Sequence, residues 1–127
     1  MFVKNWELPG LFEQPELLNT VYFSDKNLYR ELILQLKKDL QSCGIPLKIL
    51  LSRHYSFDEL ALLLHDCFME IGATAMFNLV YRVDISETQL AKAMNSPGID
   101  PLKVAEMIIK RELQKVVLRK MYSGSNK

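Results

Sequence analysis

Three basic residues spaced four apart form the pattern in this sequence that is most typical of a binding surface. Arg111, Lys115 and Arg119 fall along one edge of a predicted helix near the end of the chain. Like charges at this spacing destabilise a helix by about 0.2–0.5 kcal/mol per pair. One interpretation is a solvated face, because Glu112 can pair with Lys115 and cations suit a helix C-terminus. The other is a partner-binding ridge that meets an acidic protein or phosphates.

The remaining polar residues show no recognisable catalytic or metal-binding pattern. The five glycines are far apart, so they cannot build a phosphate loop, and the common zinc and nucleophile motifs are absent from the sequence. His65, Asp66 and Cys67 are consecutive, so on a helix they point to different sides and cannot converge on a metal. Asp66 and Glu70 are the nearest approach to a carboxylate pair, and we interpret them as a solvated face. We therefore expect no catalytic residue, no cofactor, no metal, and a protein that is not an enzyme.

Composition narrows the class of protein further. The chain has 127 residues and a formal net charge of +1, so no global field demands nucleic acid or an anionic membrane. The longest stretch without a charged residue or histidine, 71–81, is well short of the roughly 20 residues that a membrane helix needs. The first ten residues contain no uninterrupted apolar segment typical of a secretory signal. We expect a cytoplasmic protein with Cys43 and Cys67 reduced and on buried helix faces.

The clearest helix signals lie in the first two thirds of the chain. Ser56 and Glu59 form a capping box ahead of an apolar stripe, which predicts a helix over 57–71. An earlier stripe of leucines and isoleucine, with Asp25 at its start, predicts a helix over 25–42. Leu34 lies off that stripe, so this helix offers apolar surface on a second side.

Two segments fit more than one kind of secondary structure. Residues 73–82 have apolar residues at helical spacing, but 77–83 also alternate as a strand would, and we favour a helix because helix formers dominate and no hairpin turn flanks the run. Residues 47–51 are too few to assign by periodicity. The alternative fold is therefore α+β, with short strands near 47–51 and 77–83.

The last third predicts a short helix, a loop and a long helix. Ser86 and Gln89 form a second capping box, which predicts a helix over 87–95 with three inward residues, Leu90, Ala91 and Met94. Asp100 and Pro101 suit the start of a final helix over 101–121. That helix carries a second apolar set beyond its main stripe, so it lies either at the centre of the core or at a homodimer interface: Val104, Met107, Ile108, Leu118 and Met121.

The same region resembles the helix-turn-helix motif of DNA-binding proteins. The segment SETQLAKAM, residues 86–94, looks like the first helix of that motif, and the final helix would be the second. The connection NSPGID is longer than the three or four residues that such a turn uses. The resemblance implies a nucleic-acid-binding regulator that uses residues 86–121.

The sequence as a whole predicts one all-α domain, a compact bundle of four to five main helices. Residues 1–23 form an irregular arm rich in aromatic residues, which we expect to pack onto the helices. Residues 24–121 form the helical core, and 122–127 a mobile polar tail. The expected function is a small non-enzymatic module for protein–protein interaction or regulation, and nucleic-acid binding is the alternative.

Overall fold

The computed structural model describes residues 18–46, 52–95 and 98–125. Helices dominate these ranges: a π-helical turn Leu18–Tyr22, α1 Lys26–Ser42, α2 Phe57–Ile71, α3 Ala73–Val83, α4 Glu87–Ala91 and α5 Pro101–Ser125. In the same ranges the only strand pairing is an antiparallel ladder of β1 Met94–Asn95 with β2 Gly98–Ile99. The all-α prediction is confirmed.

Side-chain caps begin the helices where the sequence predicts them. Asp25 accepts hydrogen bonds from the backbone N–H groups of Asn27 and Leu28 at the start of α1. At α2 both halves of the Ser56 and Glu59 capping box are formed. A cap of this kind contributes about 1 kcal/mol. These local bonds explain why the predicted helix starts agree with the structure.

The ambiguous segment after α2 is helical. α3 spans Ala73–Val83 and buries four apolar side chains: Met76, Leu79, Val80 and Val83. The strand alternative for 77–83 is therefore wrong, and the alternative for 47–51 lies outside the described residues. Gly72 separates α2 from α3 with a φ of +93°, a backbone conformation that glycine adopts without steric cost.

The long helix α5 forms the centre of the core. It packs against α1, α2 and α3, and much of its surface is buried on more than one side. Val104 and Ile108, two residues of its second apolar set, are fully buried within this one chain. Met107 and Leu118 are partly buried, and Met121 is exposed. The chain itself therefore covers most of that surface, and a homodimer through α5 stays a prediction.

Two predicted boundaries in the last third are wrong. α4 ends at Ala91 rather than at residue 95, and the buried residue that follows it is Ala93, whereas Ala91 and Met94 are exposed. The reason is the ladder, which takes the chain out of the helix and lets the N–H of Asp100 donate to the carbonyl of Ala93 at 2.8 Å. The tail was predicted to begin at 122, but α5 continues through Ser125, and 126–127 lie outside the described residues.

The N-terminal arm and the cysteines follow the predictions in part. Leu18 and Phe23 are buried in the core, and residues 1–17 lie outside the described ranges. Both thiols are free; Cys67 is buried, and Cys43 is partly exposed. No helix in the described ranges has the length and apolarity needed to cross a membrane.

Candidate functional site

The three predicted ridge residues lie along α5 but differ in exposure. The side chains of Arg111, Lys115 and Arg119 are 16%, 29% and 54% exposed. Exposure increases toward the C-terminal end of the helix, where α5 extends beside α1. The three residues therefore have different neighbours.

Arg111 holds the end of α3. Its Nε donates to the carbonyl oxygen of Asp84 at 3.2 Å, and its Nη2 lies 3.4 Å from the Asp84 carboxylate. Asp84 follows α3 in a left-handed conformation with a φ of +69°. The last carbonyls of any helix lack partners within that helix, and a nearby cation stabilises them. The guanidinium of Arg111 therefore has a structural role in this chain.

Arg119 lies against α1. Its Nη1 donates to Oε1 of Gln35 at 3.2 Å, and its Nη2 lies 3.8 Å from Glu31. Lys120 reaches the other oxygen of Glu31 at 3.9 Å. These contacts join residues that are more than eighty positions apart in the sequence. Sequence periodicity could not have indicated them.

Between these two arginines lies a buried pair of carboxyl groups that the sequence reasoning missed. Glu112 on α5 is 0% exposed, and Asp39 on α1 is 3% exposed. Lys115 approaches Glu112 at 3.9 Å. Both acids lie within the apolar face of their helices, because Asp39 is three residues after the buried Leu36 and Glu112 is four residues after the buried Ile108. The position of these acids on an apolar face was the sequence feature that could have indicated their burial. It was overlooked because helix carboxylates were assumed to be solvated.

Asp39 is satisfied by groups from two helices. Gln35, one turn earlier on α1, donates from Nε2 to Oδ2 of Asp39 at 3.1 Å. Arg82 on α3 donates from Nε to Oδ1 at 3.2 Å. Burial raises the pKa of Asp39, but the hydrogen bonds that it accepts and the charge of Lys115 outweigh burial and hold the pKa below its ordinary value. Asp39 is therefore the charged member of the pair.

Glu112 is the protonated member. As a carboxylate it would have no hydrogen-bond donor for either oxygen among the described residues. Burial, and then contact with the Asp39 carboxylate, raise its pKa to about 9. With a proton on Glu112, its O–H donates to Asp39, and one proton serves two buried acids.

A cleft lies beside this pair, where α1 meets the C-terminal part of α5. Its volume is about 380 Å³, and seven of the described residues line it: Asn27, Arg30, Glu31, Leu34, Gln35, Lys38 and Arg119. Arg30, Leu34 and Lys38 are spaced four apart on α1, so they form one row of exposed side chains. Leu34, the residue off the apolar stripe, is 51% exposed. An apolar side chain thus lies between cations.

The other sequence candidates stay separate from this cleft. His65 lies 3.2 Å from Asp66 through Nδ1, and the thiol of Cys67 faces the carbonyl oxygen of Pro46 at 3.8 Å. Asp66 and Glu70 are both exposed. Across residues 18–46, 52–95 and 98–125, no group of three or more potential ligands converges on a metal position.

The helix-turn-helix resemblance has a different geometry in this chain. α4 spans five residues, and the ladder stands where the motif has a tight turn. The face of α5 near its start is buried at Val104 and Ala105. Searches of protein-family models, curated proteins and solved structures found no match to this chain. Inference of the function therefore depends on the geometry of the molecule.

Proposed function

We propose that this protein is a small cytosolic, non-enzymatic interaction module that binds an acidic segment of a partner protein. The binding surface is the cleft between α1 and α5. The observation that carries this proposal is the row of Arg30, Leu34 and Lys38 on α1, with Arg119 across the cleft from it.

The charges in the cleft favour an anionic ligand. Among the described residues that line the cleft, Glu31 is the one acid, against three cations. Arg30 and Lys38 form no ion pair with another residue of the described ranges. A partner helix with carboxylates along its edges would find cations on both sides of the cleft, and its apolar face would cover Leu34.

The same surface fits a protein better than a nucleic acid. The exposed Leu34 offers nothing to a phosphate backbone, and Glu31 repels one. None of the described residues that line the cleft is aromatic, so none of them can stack on a base. The whole chain has a net charge of only +1, whereas nucleic-acid-binding domains are commonly basic.

A binding role is also favoured over catalysis by the position of the most perturbed acids. A general acid must come within hydrogen-bond reach of its substrate. Glu112 is fully buried and Asp39 nearly so, and their neighbours are side chains of the same chain. The buried pair therefore supports the fold and the cleft rather than a reaction.

The expected complex is weak and sensitive to salt. Exposed ion pairs contribute about 0.2–1 kcal/mol each. Burial of the remaining surface of one leucine adds roughly 1 kcal/mol. A complex with these contacts alone would be transient, and its affinity would fall as salt screens the charges.

The test uses a labelled helical peptide with a central Leu and with Glu along both edges. We expect the double variant Arg30→Gln/Lys38→Gln to weaken binding severalfold in fluorescence anisotropy and to reduce the salt dependence. The matched control Lys92→Gln/Lys103→Gln removes two exposed cations outside the cleft and should leave the affinity unchanged. Arg111 and Lys115 are left intact because they contact residues of the fold.

A second matched pair tests the apolar contact. Leu34→Ala should weaken binding, whereas Leu62→Ala on α2 should not, although Leu62 is 52% exposed and Leu34 51%. Equal losses in the cleft and control variants would overturn the proposal. So would two other results: cleft variants that lose affinity for duplex DNA but not for the peptide, and sedimentation showing a dimer that the cleft variants dissociate. The first would indicate the nucleic-acid alternative, and the second a homodimer as the occupant.

A further inference from the structure

A continuous chain of contacts joins the buried carboxyl pair to the binding cleft. The Asp39 carboxylate is near enough to Glu112 to raise the pKa of Glu112, Asp39 accepts a hydrogen bond from Gln35, and Gln35 accepts one from Arg119. This series of contacts runs from Glu112 on α5 to Asp39 and Gln35 on α1, and then back to Arg119 on α5. Its inner end is fully buried, and its outer end is a cation that lines the cleft.

The chemistry of the partners fixes the orientation of the Gln35 amide. Asp39 as a carboxylate can only accept a hydrogen bond, and Arg119 can only donate one. Gln35 must therefore turn its NH₂ group toward Asp39 and its oxygen toward Arg119. The amide holds the Arg119 guanidinium at 3.2 Å, closer than the 3.8 Å between Arg119 and Glu31. Gln35 thus competes with Glu31 for Arg119.

Titratable and charged groups from three helices face the pair of Asp39 and Glu112. α1 contributes the Cys43 thiol at its end, whose pKa is raised by burial. α3 contributes Arg82, and α5 contributes Lys115 and Arg111. The buried residues of α2 are apolar side chains and one cysteine: Phe57, Leu60, Ala61, Leu64, Cys67 and Phe68.

We propose that Gln35 is a positioning residue for Arg119 and that the proton shared by Asp39 and Glu112 controls it. This regulation rests on the proposed function of the cleft. Without the proton, Glu112 becomes a second buried acceptor with no donor of its own. The Gln35 amide already donates to Asp39 at 3.1 Å, so it turns further inward toward the two carboxylates, and Arg119 loses its acceptor and moves to Glu31. The affinity of the cleft for an acidic segment then falls.

The first test measures peptide affinity between pH 6.5 and 9.5. The wild-type affinity should decrease by about two- to fivefold as pH rises, which is the loss of one exposed ion pair. Glu112→Gln cannot ionise and keeps a donor for Asp39, so its affinity should stay constant. Gln35→Met, which keeps the length of the side chain, should have the lower affinity at every pH.

A second measurement needs no ligand. The side-chain amide resonance of Gln35 should shift with the same midpoint as the carboxyl carbon of Glu112, and the shift should disappear in Glu112→Gln. Independent titrations of the two groups would overturn the regulation even if the peptide binds. If the peptide fails to bind at every pH, the proposed function of the cleft is wrong, and the Gln35 resonance still decides whether the contacts are coupled. Parallel pH profiles of wild type and Glu112→Gln would likewise overturn the regulation.

Discussion

Replacement of Glu112 by Gln should stabilise this protein at neutral pH, although it changes a fully buried polar residue. The amide has the shape of a protonated carboxyl group, and its NH₂ can donate to Asp39 as the carboxyl O–H does. It cannot ionise, so the folded protein no longer has to take up a proton. The backbone of α5 and the apolar side chains beside residue 112 are unchanged.

The magnitude follows from the pKa of Glu112, which rises from 4.5 to about 9 on folding. Between these two values the folded protein binds one more proton than the unfolded chain, so the free energy of unfolding falls by about 1.4 kcal/mol per pH unit. The stabilising contribution is complete below pH 4.5 and is lost as pH rises through 9. At pH 7 the wild type has lost about 3 kcal/mol, and the variant has lost none.

Urea unfolding followed by circular dichroism measures this difference. We expect similar stability of the two proteins near pH 5, a variant more stable by about 3 kcal/mol at pH 7, and a larger gap at pH 8.5, with unchanged m-values. Glu87→Gln, which changes an exposed glutamate on α4, is the matched control and should show the pH dependence of the wild type. Parallel stability curves for wild type and Glu112→Gln would refute the assignment of the proton to Glu112.

Three further outcomes are expected. Asp39→Asn should lower the pKa of Glu112, measured by carbon NMR, because the Asp39 carboxylate is one of the groups that raise it. Asp84→Ala should destabilise the protein by about 1 kcal/mol and Asp84→Gly by less, in thermal unfolding, because residue 84 is left-handed. A thiol reagent should label the partly exposed Cys43 before Cys67, which should react only on unfolding; rapid labelling of Cys67 in the native state would contradict its burial.

The helices could be predicted because their signals are local. The cap at Asp25 and the capping box at Ser56 involve residues at most three positions apart, and both are formed. The stripe that predicts α2 corresponds to its buried face. The helical choice for 73–82 is confirmed by α3 for the same reason, since Ala, Met and Leu favour a helix in any context.

The short helix α4 and the two short strands could not be predicted, because a hydrophobic period can be recognised only in a longer segment. α4 has five residues, and each strand of the ladder has two, so neither completes two periods of its pattern. Whether the chain after Ala91 continues as a helix depends on the pairing of Met94 with Ile99. That pairing depends on the folded arrangement of the chain and not on the local sequence. Because of it, Ala93 is buried where Met94 was expected to be.

The candidate site was hidden for a different reason. Leu34 could be recognised as off the stripe, and Arg119 as one of three spaced cations, but the contact of Arg119 with Gln35 spans α1 and α5 and leaves no local pattern. Glu112 was assigned to the surface as a partner of Lys115, because a charged residue is rarely buried without compensation. Compensation exists in this fold only after α1, α3 and α5 come together.

The meeting of α1, α3 and α5 also explains why the carboxyl group of Glu112 is tolerated at the centre of this core. An apolar residue in place of Glu112 would remove one hydrogen-bond donor to Asp39. The Asp39 carboxylate would then keep only Gln35 and Arg82 as donors. The contacts between these buried polar groups form in only one register of α1 against α5. That register places Asp39 beside Glu112 and Gln35 beside Arg119. A one-turn slip of α5 would take the buried carboxyl group of Glu112 away from Asp39, its hydrogen-bond partner, at a cost of about 1–3 kcal/mol, whereas Asp39 would keep Gln35 and Arg82 as donors. The pair therefore fixes the alignment that forms the cleft.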